Sequence, residues 1–155
     1  MQIDAQLRQV LGLGEVSQVG IIVKDLEKSM KNYSDFFGIT FPKIFVPEYH
    51  KKAYKGKPAD FRIKVALGMM GPLQIELIQV LQGPTVYDEL LEKKGGGLHH
   101  LGFDVKDLDK KVEALKNLGV GVLMSGERVG ARFAYMDTEP IVGVVFEFIE
   151  RERKM

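Results

Sequence analysis

Two stretches of the chain open in the same way. Val19, Ile21 and Val23 alternate with Gln18, Gly20 and Ile22, the period-two pattern of a half-buried strand. At Asp25 the period changes. Leu26, Met30, Tyr33 and Phe37 follow at helical spacing, with Asp25 placed to cap the helix and Gly38 to stop it. The pattern returns 82 residues later: Leu101, Phe103 and Val105 alternate, Asp107 caps, Leu108, Val112, Leu115 and Leu118 form the stripe, and Gly119 ends it. Over residues 18–28 against 100–110, six of eleven aligned pairs are identical. Each half also closes on a similar strand, Leu73–Ile78 and Val144–Ile149. Matched openings and matched closings in the same order point to duplication of one unit.

Three strand-like runs follow each helix, near 44–48, 61–69 and 72–81 in the first half and near 120–125, 130–137 and 143–150 in the second. Residues 83–94 read as a linking helix ended by Gly95-Gly96-Gly97, and residues 3–11 as a short extra helix. The expected fold class is α+β: two tandem βαβββ modules forming a cupped mixed sheet with helices on its outer face. The whole chain, 1–155, is read as one domain, with the first module at about 15–82, the linker at 83–95 and the second module at about 96–152.

Strand parity then separates the side chains, because successive residues point to opposite faces. The apolar faces of the opening strands are expected to receive the helices. Gln18, Gly20, His100 and Gly102 point the other way. On the closing strands Glu76 and Glu147 lie opposite Ile75, Leu77, Phe146 and Phe148. Four polar residues thus share the non-helical face, with a glycine two positions after Gln18 and after His100. Each alone would be a solvated strand residue. Together, at repeat-equivalent positions among apolar neighbours, two acids and an imidazole suggest a divalent-ion site, since buried unpaired carboxylates are costly.

Composition narrows the alternatives. The absence of cysteine excludes disulfides and thiolate metal sites. A net charge of +1 argues against nucleic acid as the main partner. No long apolar run spans a membrane, and the N-terminus lacks the pattern of a signal peptide, so a cytoplasmic protein with a small-molecule partner is expected.

The stretches VKDLEK and VKDLDK, residues 91–100 (LEKKGGGLHH) and Gly143–Phe148 resemble the vicinal-oxygen-chelate superfamily, which includes glyoxalase I, methylmalonyl-CoA epimerases, extradiol dioxygenases and bleomycin-resistance proteins. The likeness covers about residues 15–150. It implies a metal bound by Gln18, Glu76, His100 and Glu147, and homodimers are frequent in the family. Residues 90–103 and 130–134 are most similar to methylmalonyl-CoA epimerases. Those enzymes carry histidine where this chain has Gln18, and a Gln, Glu, His, Glu set is similar to the zinc-type glyoxalase I. The iron dioxygenases use two histidines and a glutamate, which Gln18 breaks.

One nitrogen and three oxygens suit a hard or borderline ion, with zinc, cobalt, nickel and manganese all open. Both leading alternatives, epimerase and lactoylglutathione lyase, move a proton alpha to a carbonyl of a thioester or 2-oxo substrate. A metal-free binding protein of the same fold is the third. The resemblance implies Glu147 as the base, with Glu76 as the second candidate. Arg132 and Lys64 are candidate substrate-binding residues. Seven cations against two acids in residues 43–64 suggest steering of an anionic substrate, although a solvated loop explains them as well. His99 is expected on the face opposite His100, and His50 in a polar surface loop.

Overall fold

The computed structural model describes residues 5–152. Helix α1 (Ala5–Leu11) occupies most of the expected 3–11 segment, whose first two residues lie outside the described ones. The first half contains β1 (Gln18–Ile22), α2 (Leu26–Phe37), β2 (Lys43–Phe45), β3 (His50–Tyr54), β4 (Lys57–Pro58), β5 (Arg62–Met70) and β6 (Leu73–Gln82). After α3 (Asp88–Lys94) come β7 (Gly97–Asp104), α4 (Leu108–Lys116), β8 (Val122–Arg128), β9 (Ala131–Met136), the short α5 (Glu139–Val142) and β10 (Val145–Arg151).

Among the described residues ten strands form one mixed sheet in the order β2-β5-β6-β1-β7-β10-β9-β8-β3-β4. Its two halves meet where β1 runs antiparallel to β7. Each opening strand also lies parallel to its own closing strand, β1 to β6 and β7 to β10. The helices cover the outer face as parity requires. Val19, Ile21 and Val23 pack with Leu26, Met30, Tyr33, Ile75 and Leu77 under α2. Leu101, Phe103 and Val105 pack with Leu108, Val112, Leu115 and Phe148 under α4. A third core lies on the inner face and includes Ile22, Val65, Ile78, Tyr87, Met124, Phe133 and Tyr135.

Two local expectations are corrected. Asp25 does cap α2, accepting from the Lys28 N–H at 3.1 Å. Asp107 makes no capping bond and sits at φ 54°. There the Leu108 N–H donates to Glu150 Oε2 at 2.8 Å, as the Leu26 N–H does to Gln79 Oε1 in the first half. Glu150 and Gln79 each stand three residues after a site glutamate, so the closing strand caps the helix from the face opposite the site. The second correction concerns residues 50–58. They are not loop: β3 and β4 form a hairpin that leaves the first half and pairs with β8 of the second. His50 therefore begins the strand next to the edge strand β4, with its Nε2 3.7 Å from Glu127 Oε2. Lysines obscured this hairpin, because the margin of a sheet tolerates charge that its centre does not.

Candidate metal centre

The register at the centre of the sheet brings the four polar residues together. Antiparallel pairing sets Gly20 opposite His100 and Gln18 opposite Gly102. Parallel pairing puts Glu76 beside Gly20 and Glu147 beside Gly102. Two polar side chains therefore flank each glycine, and all four face the inner side of the cup.

His100 Nε2 lies 3.1 Å from Glu147 Oε2 and 3.4 Å from Glu76 Oε1. Gln18, His100 and Glu147 are buried and Glu76 nearly so. The Gln18 amide is oriented from behind, its Nε2 donating to Gln74 Oε1 at 2.8 Å, which leaves Oε1 turned inward. Among the described residues the buried side-chain polar atoms without a hydrogen-bond partner are Gln18 Oε1, Glu76 Oε1, His100 Nε2 and Glu147 Oε2. Leaving such atoms unpaired costs about 1–3 kcal/mol each. Two carboxylates, an amide oxygen and a ring nitrogen are donor types that suit a divalent cation. The ligating atoms of Glu76, His100 and Glu147 all lie within 4.8 Å of one another, close enough for one ion.

The electrostatics fit the same picture. Burial pushes the Glu147 carboxyl above its usual range, against the pull of His100. Burial would lower the His100 ring, but Glu147 and Glu76 hold its pKa up at about 9. In the absence of a cation, a proton on His100 balances part of the acid charge.

His99 does not take the opposite face. The register slips between Gly20 and Ile21, which pair with His100 and Leu98, so His99 has no cross-strand partner. The bulge turns its ring beside His100, with the two Nδ1 atoms 3.0 Å apart. Burial and the neighbouring His100 lower the His99 pKa to about 3, so this ring is neutral. Beneath lie Tyr87, from the linker, and Tyr135, from β9, hydrogen-bonded to each other and packed edge-on at 5.6 Å between ring centres. Tyr135 also packs edge-on against His100 at 4.9 Å.

Arg132 borders the cup that holds the cluster, and Lys64 lies away from it. Along β9 the Arg132 guanidinium is held by acids, its Nη2 donating to Glu150 Oε1 at 2.7 Å and its Nη1 to Asp109 Oδ1 at 3.1 Å. Lys64 pairs with Gln79 on the helical side of β5 and β6. The cup is also lined by Phe45, Tyr49, Leu67, Arg128 and Arg151. Parity from Glu147 through Ile149 would have found Arg151, which pairs with Asp104. Tyr49 packs on Phe133 at 5.0 Å and Phe61 at 5.9 Å, a position that depends on the unforeseen hairpin. Lys52 is committed to structure, donating to Asp60 Oδ1 at 2.8 Å and to the Phe61 carbonyl at 2.9 Å.

Residues 17–135 match the family model of the glyoxalase/bleomycin resistance protein/dioxygenase superfamily. The chain belongs to this superfamily. Among superfamily relatives, it is 28% identical over 121 residues to the ethylmalonyl-CoA/methylmalonyl-CoA epimerase of Cereibacter sphaeroides, covering 77% of this chain and 82% of that one. It is 26% identical over 141 residues to the uncharacterized protein YqjC of Bacillus subtilis, covering 89% and 93%. The crystal structure of methylmalonyl-CoA epimerase from Mycobacterium tuberculosis superposes with a TM-score of 0.69 at 22% identity, over 98% of this chain and 94% of that one. That likeness is one of fold: the same curled mixed sheet with helices outside. Among the described residues no helix is long and apolar enough to cross a membrane.

Proposed function

We propose that this protein is a metal-dependent isomerase that removes and returns a proton alpha to a thioester carbonyl, on a substrate of the methylmalonyl-CoA type. One observation carries the reading: donor atoms of an imidazole and two carboxylates lie within 4.8 Å of one another, and a buried atom of each, together with Gln18 Oε1, lacks a hydrogen-bond partner. A divalent ion held there would stabilise the negative charge that develops on a carbonyl oxygen when the neighbouring C–H bond ionises. Glu147 takes the proton and gives it back, since burial already raises its proton affinity above that of an ordinary glutamate. Glu76 is the second carboxylate within reach of the same centre. Arg128 and Arg151 at the cup wall suit an anionic substrate. The curated relatives called epimerases supply the substrate class.

Gln18 favours a second reading. An amide at the first ligand position, where the epimerase resemblance implies histidine, suits a lactoylglutathione lyase, which moves a proton in the same way. Two assays on metal-loaded protein separate them: deuterium wash-in at C2 of methylmalonyl-CoA, and thioester formation from methylglyoxal and glutathione. Exchange without thioester formation supports the epimerase reading, and the reverse supports the lyase. Neither reaction would leave only the proton-transfer class standing, and purification without bound metal would favour a binding protein.

A further inference from the structure

His99 is a half-buried titratable side chain beside His100 with no part in the reaction above. It owes its position to an irregularity. Had β7 paired with β1 in unbroken register, residue 99 would have pointed to the helical face, away from His100. The bulge between His100 and Leu98 turns it inward instead. Its ring is wedged edge-on against Tyr87, with centres 4.9 Å apart.

One contact decides where its proton sits. Its Nδ1 faces His100 Nδ1 at 3.0 Å, a distance that requires one of the two atoms to carry a proton and the other a lone pair. A ring nitrogen that ligates a cation must present a lone pair, so with His100 Nε2 turned to an ion the proton of the neutral ring is on Nδ1. His100 Nδ1 is then the donor and His99 Nδ1 the acceptor.

We propose that His99 is a positioning residue: by accepting the Nδ1 proton of His100 it selects the tautomer and the ring orientation that aim His100 Nε2 at a divalent cation. Outer-shell partners of ligating histidines are usually carboxylates, carbonyls or waters. Here a second imidazole stands in that role and is itself packed against Tyr87 of the linker between the two halves. Tyr87 thereby connects the segment joining the halves to the ion site. The inference rests on the reading of Gln18, Glu76, His100 and Glu147 as metal ligands.

The test is a titration of metal-free protein with Zn2+ by calorimetry and with Co2+ by visible absorption. The parent is compared with His99→Leu, His99→Asn and His99→Gln, and folding is checked by thermal unfolding. In Asn the side-chain oxygen replaces Nδ1 and can accept the same bond; in Gln it is displaced toward the position of Nε2. His99→Leu should bind roughly 10–100-fold more weakly, His99→Gln should resemble it, and His99→Asn should stay close to the parent. If His99→Leu fails to fold, the Asn and Gln variants carry the comparison. Parent-like affinity in His99→Leu, or equal weakening in Asn and Gln, would overturn the role of His99 while leaving the metal site intact. A parent that binds neither ion would remove the metal reading itself, and this inference with it.

Discussion

Gly20 and His100 occupy each other's space. A Cβ built on Gly20 would lie 2.0 Å from Cε1 and 2.3 Å from Nε2 of the His100 ring. The imidazole thus lies flat across a backbone that carries no side chain. The pseudo-symmetric pair is less tight: a Cβ on Gly102 would stand 3.0 Å from Gln18 Cβ and 3.1 Å from Gln18 Oε1. These contacts explain why a glycine follows Gln18 and His100 at a distance of two residues, since antiparallel pairing puts each glycine under the other half's polar side chain.

Gly20→Ala should therefore expel the His100 ring. We expect destabilisation of about 1–3 kcal/mol by overpacking, together with loss of metal binding. Gly102→Ala should be milder, because the flexible Gln18 side chain can retreat by a few tenths of an ångström. Thermal unfolding and metal titration of both variants check this order. Equal effects would mean that ring placement is not what Gly20 protects.

Glu147→Gln should reduce proton exchange by roughly 10²–10⁴-fold, the usual contribution of a positioned acid–base group. The variant should still fold, but the metal-free protein should lose the part of its stability that comes from the His100–Glu147 pair. Activity that survives in Glu147→Gln but disappears in Glu76→Gln would assign the base to Glu76.

The two adjacent histidines give the metal-free protein a stability maximum near neutral pH. The folded-state pKa of His100, about 9, lies above its ordinary 6.5. Its stabilisation is complete below 6.5 and is lost as pH rises through 9. The His99 value of about 3 lies below 6.5, so its contribution is complete above 6.5 and is lost as pH falls toward 3. The raised Glu147 carboxyl acts in the same direction as His100. Unfolding temperature measured across pH 4–10 should peak between these limbs. Metal affinity should rise with pH up to about 9, as binding displaces the His100 proton. A flat affinity profile would exclude His100 as a ligand.

Arg132→Ala should act on stability, not on substrate. It breaks a partly exposed network with Asp109 and Glu150, worth about 1 kcal/mol, and loosens Glu150, which caps α4. Arg151→Ala and Arg128→Ala should instead raise KM for an anionic substrate, because both line the cup without the two-acid pairing that holds Arg132. Steady-state kinetics of the three variants distinguish these roles.

The duplication, the strand-to-helix switch at Asp25 and the inward face of Gln18, Glu76, His100 and Glu147 follow from residue order, because periodicity and parity are local properties that the backbone carries along the chain. Pairing partners are not local. That β1 meets β7, that the 50–58 hairpin crosses to β8, and that a bulge turns His99 inward were decided by register between segments far apart in sequence. The same holds for the acid pairing of Arg132 and the direction of Lys64, which depend on the elements beside them. Sequence alone determined which residues could form an ion site; only the packed sheet decided which atoms are left without a partner, since that depends on every neighbour the fold brings near.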